Sequence, residues 1–513
     1  MGFLTRLLRG PLTARAREAR SWKGRLEEVQ RAELARMVRL ARPTLWGLDH
    51  GFACVESYED FIQAVPQPVS YERLRPLVMR MIAGEADVLW PGVTRRFAQS
   101  SGTSDGKSKY IPVTDESLRR THFRGTRHSV AHYLEAYPDS SLLDGRAFIL
   151  GGSFANELTL PRGVRVGDLS ANLIDSMPSG AGLLRVPRRD IALMADWRLK
   201  LPALIEASAR RRDITNISGV PSWFLTVLKG VLEHTGAATI HDVWPRLEVF
   251  FHGGIAFGPY REQYRRITDP SRMRYLENYN ASEGFFAVQD NPADRAMLML
   301  LDAGTFYEFM PLDQVGRPEP RLLPPWEVEA GKTYALVISG VNGLWRYEIG
   351  DTVRVCSTDP LKITIAGRTR HFINAFGEEL MVSNADGAIE EVCRALGCDV
   401  ANYTAAPVYA GDHSRGRHQW LVEFSRAPRS LDEFARRLDT ALQARNSDYQ
   451  AKRTADIFLA PPEVVVARKG LFDAWLASTG KLGGQRKVPR LANSREFIDP
   501  MLNINNQSDI LIS

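Results

Sequence analysis

Apolar positions fall into a helical rhythm early in the chain. From Leu26 to Arg42 they recur at Leu26, Val29, Leu34, Met37, Val38 and Ala41, which predicts a helix with an uneven apolar side. The twenty residues before it, MGFLTRLLRGPLTARAREAR, read as an amphipathic surface helix with a cationic outer face. From Arg95 the rhythm changes. Short apolar runs (RRFAQS, KYIPVT, RAFILGGS, LEVFFHGG, RYLENYN) alternate with helical stretches, and the helix after KYIPVT opens at Thr114, a good cap followed by Asp115 and Glu116. Such alternation predicts an α/β architecture with ligand loops at the carboxyl ends of strands.

Further on, KTYALVISGVNGLWRYEIGDTVRV predicts two antiparallel strands turned at Val341-Asn342-Gly343, and LKITIAGRTRHFINAFGEELMV a second pair. At Gly367-Arg368 the β-rich body gives way to a tail of αβ units. We expect a large domain over residues 1–366 and a smaller mobile α+β domain over 367–513. No 18-residue apolar run exists, so integral membrane association is not expected. The first helix carries arginines where a secretory signal would be apolar. Arg6 stands where myristoylation wants Ser or Thr. Weak membrane-surface contact is the alternative to a merely solvated helix.

Charge sharpens this picture. The net charge is +6, yet residues 1–45 hold eleven Arg and Lys against four Glu, an excess of seven that leaves the remainder at −1. A nucleic-acid footprint would lie along a folded reading surface, so no DNA or RNA partner is expected. Cys54, Cys356, Cys393 and Cys398 form no C-x-x-C pair, which argues against zinc or a disulfide framework and for a reducing, cytoplasmic setting. A monomer is favoured.

The densest chemistry lies in SSGTSDGKSK, Ser100 to Lys109. A Walker loop needs four residues between its glycines, and Gly102 and Gly106 enclose three; it must also lead into a helix, whereas KYIPVT reads as a strand. A phosphate loop between two strands suits the residues better. Gly102 and Gly106 free backbone N–H groups to turn toward an anion, Ser100, Ser101, Thr103 and Ser104 offer neutral donors, and a lysine balances charge. A solvated Ser/Gly turn is the bland alternative. Three other stretches weigh against it. ENYNASEGFF offers Tyr279 as a flat face, Ser282 as a donor and Glu283 as a carboxylate for magnesium. LWRYEIGDTVRV carries Asp351 at a turn, where a carboxylate can accept ribose hydroxyls. GGQRKVPR places Lys487 in a glycine-led loop able to carry a cation into a closing site.

Taken in order, these motifs resemble the auxin-responsive Gretchen Hagen family of acyl acid amido synthetases, a branch of the adenylate-forming superfamily, from about Phe97 to Arg490. SSGTSDGKSK is similar to the family's SSGTSxGxxK throughout. YNASE has Ala281 where a serine is common, and in RYEIGD Glu348 stands where plant members usually have arginine. The resemblance implies an adenylate-forming, luciferase-like α/β fold: a large N-terminal domain of sheets, helices and a β-barrel-like part, plus a smaller mobile domain. It implies that Ser100 to Gly106 with Lys109 wrap the phosphates of ATP, that Tyr279 stacks near adenine with Gly253-Gly254 on its other side, and that Glu283 holds Mg2+. Asp351 and Arg368 would reach ribose, and Lys487 would be the catalytic lysine. The implied reaction is adenylation of a small carboxylic acid, then acyl transfer to an amine such as an amino acid. Transfer to a coenzyme A or carrier-protein thiol, and a nucleotide-binding protein without turnover, are the alternatives.

For the acyl slot, Trp223 and Phe224 of GVPSWFLTVLKGV are weak candidates against a core-packing reading. Arg124 and Arg127 could meet a carboxylate or simply be solvated. His128 and His132 have the i, i+4 spacing of metal ligands but lack a third.

Overall fold

β-branched and aromatic residues crowd the apolar runs, and glycine or proline closes them, so they form strands. In chain order these are β1 (Arg96–Ser100), β2 (Lys109–Pro112), β3 (Arg146–Ile149), β4 (Arg165–Gly167), β5 (Arg185–Val186), β6 (Ile214–Gly219), β7 (Val249–Gly253), β8 (Arg274–Ala281), β9 (Gly284–Val288) and β10 (Met297–Met299). There follow β11 (Thr305–Pro311), β12 (Thr333–Gly340), β13 (Tyr347–Thr358), β14 (Leu361–Arg368), β15 (Phe372–Ile373), β16 (Leu380–Met381), β17 (Asp399–Val408), β18 (Arg417–Arg426) and β19 (Glu463–Ala467). The computed structural model describes residues 2–100, 109–156, 158–177, 179–254, 257–369, 372–373, 378, 380–408, 416–446, 449–450, 453, 459–479, 488–492 and 494–507.

A small sheet has the order β2-β1-β4, with β1 antiparallel to β2. The large sheet runs β11-β12-β13-β14-β10-β9-β8-β7-β6-β3-β5. Its β5-β3-β6-β7-β8 stretch is parallel, and β9 then reverses direction against β8. Parallel strands are covered on both faces and read as continuous apolar runs, as Val249–His252 of β7 does with every residue buried. β14, expected to start a second strand pair, instead lies between β13 and β10, while β15 and β16 make a two-stranded sheet of their own.

The chain divides into two compact units. The first comprises residues 1–255, 264–349 and 353–364; the second comprises 256–263, 350–352 and 365–513. In the first, the helix Leu26–Ala41 buries Leu34, Met37, Val38 and Ala41 as its pattern predicts. Gln30 joins them because its amide is fully used: Nε2 donates to Leu301 O (2.5 Å) and Thr305 O (3.0 Å), and Oε1 accepts from Tyr307 N (3.0 Å). The second unit packs helices Val382–Leu396 and Leu431–Arg445 against the β17-β18-β19 sheet, with Tyr403 stacked on Trp420 at 5.6 Å in its core. Among the described residues no helix is long and apolar enough to cross a membrane.

His128 and His132 lie buried on the helix Phe123–Ala136, ring on ring at 6.1 Å. With His128 0% and His132 5% exposed, both rings are packed into the interior. Burial, with Arg124, Arg15 and Arg127 nearby, pushes His128 down to about 3, and burial pushes His122 down to about 4. Both folded values lie below the ordinary 6.5, so the unfolded chain binds more protons between these limits and stability falls as pH drops. We expect the denaturant midpoint to decline steadily from pH 6.5 towards 4, and His128→Leu to flatten that slope.

Candidate functional site

β1 and β2 form a hairpin whose last rung pairs Ser100 with Lys109. The segment 101–108, with Ser101, Gly102, Thr103, Ser104 and Gly106, lies outside the described residues, but it joins two antiparallel strands, as the reading against a Walker loop requires. Lys109 is fixed at the base. Its Nζ donates to Tyr347 Oη (3.1 Å) and stands 5.6 Å from the ring centres of both Tyr71 and Tyr347. Aromatic faces stabilise an ammonium without removing its charge. Tyr71 also ties down the strand by accepting from Tyr110 N (2.6 Å).

Two glycines close β7 for different reasons. A Cβ on Gly253 would stand 2.4 Å from Asn278 O of β8, so only glycine lets the strand ends approach this closely. Gly254 follows at φ 82°, in the left-handed region. On β8 the register shifts between Tyr279 and Asn280, a bulge that re-aims the side chains just before the chain reverses. Ala281 pairs with Gly284, so Ser282 and Glu283 are the two turn residues of the hairpin. Turn tips are usually solvated, yet Glu283 is only 8% exposed and Ser282 7%. Tyr279 is buried too, its ring edge-on to Phe286 at 5.0 Å.

Hydrogen bonds join these pieces. Asn342 Nδ2 donates to Glu283 O (2.9 Å) and Thr114 Oγ1 to Val341 O (2.8 Å), so the turn before β13 is tied both to the Glu283 hairpin and to the chain leaving β2. β13 itself is anchored by Arg346, which adopts φ 44° and is 4% exposed. Its Nε and Nη2 bind both oxygens of Glu308 (2.9 and 2.8 Å), and Nη1 binds Val65 O and Pro66 O (2.7 and 2.9 Å). Tyr58 Oη completes the carboxylate's shell at 3.0 Å. Beyond β3, Lys200 Nζ donates to Gly151 O (2.5 Å), Gly152 O and Met194 O (3.2 Å each), and burial pushes its ammonium down to about 8. Arg346, Asn342 and Lys200 carry no motif signal; only their carbonyl and carboxylate partners, distant in sequence, reveal them.

The remaining candidates separate. Asp351 is half-buried on β13, in the stretch 350–352 that groups with the second unit. There Thr369 N donates to Gly350 O (2.9 Å). Arg368 ends β14, and its side chain, like that of Ser100, is outside the description. Lys487 lies outside the described residues, but the chain that follows it is stitched along β17: Ala405 N donates to Arg490 O (2.9 Å), Ala492 N to Ala405 O (3.1 Å) and Thr404 Oγ1 to Pro489 O (2.6 Å). Phe224 belongs to the core, fully buried between Phe148 and Phe250 at 5.2 and 5.4 Å, so it offers no face to a ligand. Trp223 in the same turn keeps partial exposure. Arg127 is exposed, with Nε donating to Phe123 O of its own helix, while Arg124 pairs with Asp302 and Glu18.

Three domain descriptions of one family match successive parts of this chain: the GH3 family N-terminal domain over residues 15–196, the central domain over 298–368 and the C-terminal domain over 383–496. The chain belongs to the GH3 family. One GH3 relative, indole-3-acetic acid-amido synthetase GH3.3 of Arabidopsis thaliana, is 25% identical over 82% of each chain. The probable indole-3-acetic acid-amido synthetase GH3.1 of Oryza sativa subsp. japonica is 22% identical over 90% of this chain and 87% of its own. The solved GH3.15 acyl acid amido synthetase superposes with a TM-score of 0.76 at 17% identity, covering 94% of this chain and 95% of that one. A 2-hydroxyisobutyryl-CoA ligase in its postadenylation state superposes with a TM-score of 0.55 at 15% identity, over 94% and 91%. The GH3 chain thus has the adenylate-forming fold that its motifs imply.

Breaking the buried Arg346 pair leaves an uncompensated charge, so Arg346→Ala and Glu308→Ala should each cost about 3–5 kcal/mol in denaturant unfolding. Gly253→Ala should part the ends of β7 and β8, lowering activity more than it lowers the unfolding midpoint.

Proposed function

We propose that this GH3 protein is an ATP-dependent ligase that adenylates a small carboxylic acid and passes the acyl group to an amine, in the first instance an amino acid. The observation that carries the reading is the set of strand ends tied together by hydrogen bonds: the Lys109 hairpin, the buried Ser282-Glu283 turn and the Gly253 end of β7 paired with β8. Family membership and relatives named as amido synthetases support it. Free cysteines, two of them exposed, agree with a reducing cytoplasmic setting.

The acid's carboxylate attacks the α-phosphorus of ATP, the bond to the bridging oxygen breaks, and pyrophosphate leaves. The amine nitrogen then attacks the acyl carbonyl, loses a proton and expels AMP. Both partners of the first step are anions, so the site must balance charge in the pentavalent transition state. Ser100 to Gly106 offer N–H and hydroxyl donors to the phosphates, and Lys109 adds a fixed cation. Gly253-Gly254 and Tyr279 flank the adenine, Ser282 offers a donor beside it, and Asp351 with Arg368 holds the ribose. Lys487 brings a second cation, and Trp223 and Arg127 remain the candidates to contact the acyl group. Glu283 suits magnesium: it is a buried carboxylate at a hairpin turn, and magnesium is held through one or two carboxylates plus substrate phosphates. When bound, the ion neutralises phosphate charge.

Acid-dependent exchange of labelled pyrophosphate into ATP tests the first half-reaction. We expect Glu283→Gln and Lys487→Ala each to lower it about 10²–10³-fold. Product masses with each amino acid or with coenzyme A then decide the acceptor; a thioester as sole product would replace the amide reading.

A further inference from the structure

The helix Phe3–Arg20 presents the large apolar side chains of its first two turns to solvent, whereas Leu12 further along packs against the body. Phe3 is 79% exposed, Leu4 44%, Leu7 65% and Leu8 43%. These are four of the ten large hydrophobic residues exposed among the described residues, gathered within six positions. At 100° per residue they span roughly 140° of the helix surface. Thr5, Thr13, Ala16 and Ala19 face inward instead. Small residues there allow close contact with the body, so the first two turns reverse the orientation of an ordinary amphipathic helix, whose large apolar residues face the core.

An anchor fixes that orientation. The Asp144 carboxylate accepts from Leu4 N (2.9 Å), Thr5 N (3.0 Å) and the Thr5 hydroxyl, which serves the free N–H groups of the first turn, and Leu143 N donates to Thr5 Oγ1 (3.0 Å). The stripe therefore cannot roll inward without breaking these bonds. Charge completes the surface. No Asp or Glu precedes Glu18, while Arg6, Arg9, Arg15 and Arg17 lie along the helix. Arg6 and Arg17 project along one edge of the stripe, and Arg15 continues the line of Leu4 and Leu8 about two turns further on. Only Arg15 among them makes an ion pair, with Glu18, within the described residues.

We propose that this helix is a peripheral docking surface for an anionic lipid membrane. An exposed apolar stripe bordered by arginines matches the boundary between acyl chains and negative headgroups, with the helix lying in the plane of the surface. A second copy of the chain fits less well, because like charges would face each other across the contact.

The test is co-sedimentation of the full chain with phosphatidylcholine vesicles, with and without phosphatidylglycerol. We expect capture by the anionic vesicles alone, weakened several-fold when salt rises from about 0.05 to about 0.5 M. Two double variants, Phe3→Asp with Leu7→Asp and Arg6→Glu with Arg17→Glu, should each reduce capture about ten-fold with unchanged unfolding midpoints. Absence of capture, equal capture by neutral vesicles, or a dimer in solution that the Asp variant dissolves would each overturn the proposal.

Discussion

A buried arginine held to a buried carboxylate by two hydrogen bonds fixes the start of β13, and much of the site depends on it. Arg346 adopts a left-handed backbone, a conformation that costs an ordinary residue about 1–2 kcal/mol. It persists because four of its five guanidinium donors' directions end on oxygen, two on Glu308 and two on the carbonyls of Val65 and Pro66. With the side chain turned inward, the next peptide meets the early chain: Val69 N donates to Arg346 O (2.7 Å) and Glu348 N to Val69 O (3.0 Å). Tyr347 is set between these bonds, and its hydroxyl is the one Lys109 uses.

The parts of this arrangement that were legible in the sequence share a cause. Strands β1 and β2 show as apolar runs on either side of a glycine- and serine-rich segment, the Thr114 cap is local chemistry, and the parallel strands carry unbroken apolar residues because both of their faces are covered. The hidden parts are contacts between distant residues. Arg346 in LWRYEIGD reads as one more charged position, and Gln30 reads as a polar interruption of an apolar helix side; only the partners at Glu308 and Leu301 give them meaning. His128 and His132 have metal-like spacing, but spacing says nothing of burial. The first helix was legible as cationic on its outer side; the outward turn of Phe3 and Leu7 was not, because it follows from the bonds to Asp144.

The site also illustrates how one fold separates rigid from charged functions. Gly253 and the bulge in β8 shape backbone at the ends of packed strands, where a single added Cβ would collide with the Asn278 carbonyl. The charged candidates stand on hairpins: Lys109 on one, Glu283 on another. A hairpin tip is ordinarily loose, so holding a carboxylate there with 8% exposure requires outside support, which Asn342 gives through the Glu283 carbonyl.

Thr114 does two things with one oxygen. It accepts from Ser117 N (3.0 Å) to start a helix and donates to Val341 O (2.8 Å) on the turn before β13. The exit from the β1-β2 hairpin and the entry to β13 therefore share a single hydroxyl. On warming, these two segments would lose order in the same event, so amide hydrogens on either side of the site would exchange together as one cooperative element.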